Sequence, residues 1–166
     1  MDALTPKGSD LFNSPLEAGI RAVTVLEMVR PLEMDLAEMV LLDHVLVHSA
    51  DLGGPPSLHP DVPGRKGELL VRRRLVEASL NLMQRFHLID RRVSDDGLAY
   101  RATDEAAGYV ELLESHYSER LKTCAGWVRD EIGVGGKQAF LERVRSQLGE
   151  WTAAFIDPAS PAEGAV

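Results

Sequence analysis

The stretch GELLVRRRLVEASLNLMQRFHLIDRRVSDDGLAYRAT, residues 67–103, changes its hydrophobic period halfway along, and that change decides the fold. In its first half Leu69, Val76, Leu80 and Met83 recur at helical spacing, and Leu75, Leu82 and Phe86 widen the face. Arg74, Glu77, Asn81 and Arg85 fall on the opposite side. The spacing predicts a helix from about Gly67 to Phe86. In the second half, Leu88 to Val93 and Leu98 to Ala102 read as short strands. Asp96-Gly97 joins them and suits a tight hairpin turn.

Two helices precede this unit. Asn13 or Ser14 can cap the first, Pro15 suits its first turn, and Leu16, Ile20, Val23 and Leu26 mark its apolar face. Pro31 ends it or lies just beyond its end. The second starts near Asp35, whose carboxylate can accept the free N–H groups of the first turn. Its body, LAEMVLLDHVLVH, is apolar on nearly every side, which places it in a core or between subunits. Downstream, Thr103, Asp104 and Glu105 open a fourth helix with Val110, Leu113, Tyr117, Leu121, Cys124 and Val128 on its buried stripe. Gly133-Val134-Gly135-Gly136 breaks that helix, and a fifth carries Phe140, Val144, Leu148, Trp151 and Phe155.

Helix, helix, helix, hairpin is the order of a winged helix-turn-helix. The expected fold is therefore mainly α: a winged helix-turn-helix with a small β-hairpin wing and an appended C-terminal antiparallel helix pair. The expected division is a flexible leader over residues 1–12, the winged-helix domain over 13–103, the helical hairpin over 104–156 and a disordered tail over 157–166. One irregularity is the connection between the second and third helices, which is far longer than the usual short turn.

The totals set the setting. At 166 residues, with 45% apolar and 27% charged content, one compact domain is expected. No apolar run reaches the length of a membrane span. The start MDALTPKGSDLF lacks the basic opening and small-residue cleavage site of a signal peptide. A single cysteine, Cys124, excludes an internal disulfide and fits a reducing, cytoplasmic compartment. Its place on an apolar stripe makes it a buried structural thiol.

The connection HSADLGGPPSLHP, residues 48–60, is where chemistry would be sought first. His44 and His48 share a helix face, and Asp43, Asp51 and His59 are near in sequence. That spacing is not the HExxH pattern, since Asp43 rather than a glutamate adjoins the first histidine, so no metal site is assigned. Neither glycine cluster matches a phosphate-binding loop, and no cofactor is assigned. Glycines and prolines instead make this loop a stiff docking ridge.

Charge is unevenly spread. The net charge is −8, yet residues 64–101 carry nine basic against five acidic side chains, a local +4. In many winged helices the third helix enters the DNA major groove while the wing touches the backbone. Arg72, Arg73, Arg74 and Arg85 could serve so, aided by Arg91 and Arg92. The wing tip, Ser94-Asp95-Asp96-Gly97, would repel phosphates, and Glu68 and Glu77 offset the helix charge. A solvated basic face, or a face that meets an acidic protein, is at least as good a reading.

SPLEAGIRAVTVLE, LVHSADLGGPPSLHP, GELLVRRRLVEASLNLM and DGLAYRAT together resemble the small middle component of bacterial three-component ABC-ATPase systems, which are conflict or phage-defence modules. The resemblance spans roughly residues 13–130. It departs at His44, where an aromatic such as tyrosine is expected, and this further weakens a metal site there. The resemblance implies a non-catalytic adaptor subunit linking an SMC- or Rad50-like ABC ATPase to an effector protein, with no catalytic residues to carry over. A winged-helix DNA-binding transcriptional regulator is the alternative. The expected contact face, to protein or DNA, comprises Asp51, Ser57 and His59 of the loop with Arg65, Lys66, Arg72, Arg73 and Arg74 of the third helix. A homodimer is a further expectation, with Trp127 and Trp151 available as anchors.

Overall fold

The structure, a computed structural model, describes residues 14–59 and 65–148, the side chains of 65–70 excepted. The expected leader, the tail, and Trp151 and Phe155 lie outside the described residues. Helix α1, Pro15–Met28, begins where Ser14 accepts the Glu17 N–H at 3.2 Å and Pro15 occupies the first turn. Helix α2, Leu36–Val47, begins with a capping box: the Asp35 carboxylate accepts the Glu38 N–H at 2.7 Å, and the Glu38 carboxylate accepts the Asp35 N–H at 3.0 Å. A short 3-10 turn, Ser49–Leu52, leads into the loop. Helix α3, Arg65–Arg85, follows, then strands β1, Ile89–Ser94, and β2, Gly97–Ala102.

The strands pair antiparallel in continuous register, from Ile89 opposite Ala102 to Ser94 opposite Gly97. Gly97 has φ +112°, which explains a glycine directly after the two-aspartate turn. Met34, before α2, bridges Tyr100 on the outer flank of β2, with N–H to O bonds of 3.0 and 2.7 Å. The hairpin is tied to α3 at its base: the Leu88 N–H donates to the Met83 carbonyl, and the Thr103 hydroxyl donates to the His87 carbonyl at 2.7 Å.

The expected single fourth helix is two. Helix α4, Ala106–Glu111, stops, and helix α5, His116–Gly135, restarts on a Ser115 cap that accepts the Ser118 N–H at 3.1 Å. Lys122 reaches back to the Leu113 carbonyl at 2.6 Å and satisfies the interrupted end. The glycine run also acts later than expected: α5 continues through Gly133 and Gly135, and only Gly136, at φ +92°, turns the chain. Helix α6, Lys137–Leu148, runs back along α5, with Phe140 edge-on to Trp127 and Arg143 paired to Glu131 at 2.6 Å.

Helix α2 is the centre. Every residue from Glu38 to Val47 is buried, as its all-round apolar sequence requires. Helices α1, α3, α5 and α6 surround it, with β2 closing one end. One continuous cluster joins Val23 and Leu26 of α1, Leu41 and Leu42 of α2, Leu80 and Met83 of α3, Leu121 and Val128 of α5, and Leu141 of α6. The chain is thus mainly helical with one small antiparallel sheet. Among the described residues, no helix is long and apolar enough to cross a membrane. Leu80→Ala is expected to lower unfolding free energy by about 2–5 kcal/mol. Val134→Ala, at a 90% exposed position, should leave it within about 0.5 kcal/mol; urea denaturation of both variants checks the contrast.

Candidate interaction surface

The loop after α2 does not stand free as a ridge. Ser49 donates its hydroxyl to the Pro55 carbonyl at 2.8 Å, and the Ala50 N–H reaches the Ser57 hydroxyl at 3.2 Å. Arg120 of α5 donates to the Ser57 carbonyl at 2.7 Å, and Gln147 of α6 donates to the Asp51 carbonyl. Leu58 is buried, and the Gly54 backbone lies flat on Trp127: a Cβ there would sit 2.8 Å from the indole ring. Trp127 is therefore a packing residue for the loop, not an exposed anchor. The proline-rich segment is a lid glued to α5 by backbone contacts.

Beneath its end lies a buried ion cluster that joins four helices and the loop. Arg21 of α1 grips Asp43 of α2 with two bonds, Nε to Oδ1 at 2.7 Å and Nη2 to Oδ2 at 3.3 Å. Arg72 of α3 donates to Asp43 Oδ2 at 2.5 Å. The Tyr117 hydroxyl of α5 accepts from Arg21 Nη1 at 3.4 Å and meets His59 Nε2 of the loop at 3.3 Å. Burial pushes the Asp43 carboxyl up, but the charges of Arg21 and then Arg72 outweigh it and hold it down to about 2. Burial lowers the Arg21 guanidinium, and Asp43 reverses that into a net rise. Burial, with Arg21 and Arg72 adding, brings the His59 imidazole down to about 4, while burial raises the Tyr117 hydroxyl.

This cluster decides which of the expected contact residues face outward. Arg72 is 6% exposed and holds Asp43, so it belongs to the interior. His59 turns toward Tyr117, half-buried. Ser57 is half-buried and used by its hydroxyl and carbonyl, whereas Asp51 is exposed. Arg73 is half-exposed and Arg74 exposed; the Arg65 and Lys66 side chains lie outside the described residues. The outward stripe of α3 is instead Val71, Arg74, Glu77, Ala78, Asn81 and Arg85. On the hairpin, Arg92 reaches Glu33 at 2.8 Å and Arg101 lies 3.8 Å from Asp90.

The His44 and His48 rings meet at a 45° tilt beneath α6, their centroids 4.9 Å apart. Among the described residues no three His, Cys, Asp or Glu side chains gather to hold a metal. Cys124 is buried beside the Ser49 hydroxyl, at 3.5 Å. A cleft of about 210 Å³ between the α1–α2 connection and the hairpin base is lined by Arg30, Asp90, Arg101 and Asp104, with Arg30 and Asp104 paired at 2.7 Å. Sequence reasoning missed the ion cluster, although a lone aspartate inside LAEMVLLDHVLVH was a signal that a cation must come to it.

A mainly helical domain with a hairpin beside its third helix, and with its buried charges spent on internal packing, is the class that these features define. The family described as ABC-three component (ABC-3C) system Middle Component 2 matches residues 11–154, and the chain belongs to it. Its context is therefore a multi-component ABC system. No curated protein and no solved structure matches the chain.

Three outcomes follow from the geometry. Arg72→Ala should cost about 3–5 kcal/mol of stability, because it strips a buried carboxylate of one partner, while Arg74→Ala should stay within about 0.5 kcal/mol. Gly54→Ala should lower the melting temperature by displacing the loop from the rigid Trp127 ring. The folded chain binds a proton at His59 only near pH 4, whereas an ordinary imidazole does so near 6.5. The unfolded chain holds more protons between those values, so stability falls as pH drops from about 6.5 toward 4. Denaturation series at several pH values should show His59→Gln losing its share of that slope.

Proposed function

We propose that this chain is a non-catalytic, cytoplasmic winged-helix adaptor that links the ABC ATPase of its system to an effector protein in phage defence. Family membership carries this reading, since the family is described as a middle component of an ABC three-component system. Three features support the winged-helix assignment. The element order is helix, helix, helix, hairpin; α3 directly precedes and packs on the hairpin; and Met34 adds a one-residue third strand beyond β2. The polar groups of the interior support a binding role, because Arg21, Asp43, Arg72, Tyr117 and His59 hold one another.

The contact face is the outward stripe of α3. Arg74 and Arg85 flank Ala78 and Asn81, and Val71 adds an apolar end that is 67% exposed. Such a stripe suits an acidic protein surface with a small apolar knob. Arg74→Glu combined with Arg85→Glu should abolish co-elution with the co-expressed ATPase and effector components while leaving circular dichroism unchanged. A wild-type chain that elutes alone from that co-expression sinks the adaptor reading.

One observation favours a DNA-binding regulator as the second reading: Arg74, Asn81 and Arg85 are the donor types that reach phosphates and base edges. Against it stand Glu77 in the same stripe and Asp95 and Asp96 at the wing tip. Fluorescence anisotropy with duplex DNA at two salt concentrations separates them. A DNA reader binds at low salt and weakens steeply as salt rises; an adaptor of the kind proposed shows no such binding.

A further inference from the structure

Five exposed side chains of α3 recur at intervals of three and four residues: Val71, Arg74, Ala78, Asn81 and Arg85. At about 100° per residue they fall within an arc of about 80°, opposite the buried Val76. They run for about 21 Å along the helix. This alternation of three and four is that of the seam along which two helices pack at a shallow crossing angle. The far side of α3, with Arg72, Val76, Leu80 and Met83, is spent on the interior. The seam is thus a second helix-packing surface on the same helix.

Its two borders differ. Leu75 and Leu82, both half-buried, flank Val71 and Ala78 on one side. Glu77 flanks Arg74 and Asn81 on the other. Ala78 is small and central, so a second helix can approach closely there. Asn81 beside it asks for a polar group opposite, a device that fixes register between paired helices. Arg74 and Arg85 bracket this centre, three turns or about 16 Å apart. Arg92 and Arg101 of the hairpin lie against Glu33 and Asp90, whereas among the described residues Arg74 and Arg85 pair with no carboxylate.

We propose that this seam docks one amphipathic helix of a partner protein, with carboxylates eleven residues apart to meet Arg74 and Arg85 and a small or apolar residue between them over Ala78. The inference rests on the adaptor reading and narrows its acidic surface to a single helix. Charge complementarity selects that occupant and rejects α3 of a second copy. Laid parallel in register, two such seams set Arg74 against Arg74 and Arg85 against Arg85. Laid antiparallel about the centre, they set Arg74 against Arg85 twice. Opposed like charges disfavour both arrangements.

The test uses the full chain co-expressed with the ATPase and effector components. Ala78→Trp leaves the charge unchanged and sets a bulky ring on the centre of the seam, at an exposed position where folding tolerates it. It should weaken binding of the captured component about tenfold or more, with circular dichroism unchanged. A contact made through charge alone would not respond. In the Arg74→Glu, Arg85→Glu chain, binding should return when two acidic residues eleven apart on one helix of that component are changed to lysine. If the wild-type chain elutes alone, the adaptor reading and this inference fall together. If it binds but Ala78→Trp binds equally well, or no such lysine pair restores the charge-reversed chain, the helix-docking seam is overturned and the adaptor reading stands. Capture of duplex DNA in place of either component, lost with Arg74→Glu and Arg85→Glu, overturns it as well.

Discussion

One carboxylate holds this fold together. Asp43 sits on the helix that the rest of the chain surrounds, and it receives Arg21 from α1 and Arg72 from α3. Burying three ionic groups carries a large desolvation cost, and such a site gains little over well-packed apolar side chains of the same volume. What it does supply is direction. A two-toothed grip from Arg21 and a short bond from Arg72 fix the rotation of α1 and α3 about α2, which hydrophobic contact alone leaves loose. Tyr117 and His59 extend the same network to α5 and to the loop, so the one polar knot sets the placing of four elements.

The loop then makes sense as a consequence. A connection this long would be an entropic liability if it waved in solvent. Its described part, residues 48–59, is laid down on α5 instead, held by Arg120 on the Ser57 carbonyl and by the flat approach of Gly54 to Trp127. His59 closes the line over the polar knot. The stiffness legible in its prolines and glycines serves an intramolecular seat. What remains exposed is the outward stripe of α3 and the hairpin, where residues 90–97 are all exposed.

Much of the fold was legible. The change of period at residues 86–88 gave the third helix and the hairpin, the caps at Ser14 and Asp35 gave the helix starts, and the all-apolar α2 gave the centre. What was not legible depended on competition between local signals. The α4–α5 break turns on Ser115 acting as a cap amid an otherwise continuous apolar stripe. The burial of Arg72 was missed for a related reason. Arg72, Arg73 and Arg74 read as one basic run, but a helix turns 100° per residue and distributes them to different sides. Arg72 lies four before Val76 and eight before Leu80, on the apolar stripe itself. It goes inside with them because Asp43 is there to meet it, while Arg74 stays out.

The enclosure of α2 has a bearing on how the chain comes to be folded during synthesis. Its most apolar helix is made before the side chains that roof it, which include Val144 and Leu148, among the last of the described residues. Until α5 and α6 arrive, Leu41, Leu42 and Leu46 have only part of their final surroundings. Until those helices are made, a nascent chain carries this apolar rod half clad, and transiently exposed apolar surface invites misassociation or chaperone capture. The helices after the hairpin are thus what completes the cover of α2.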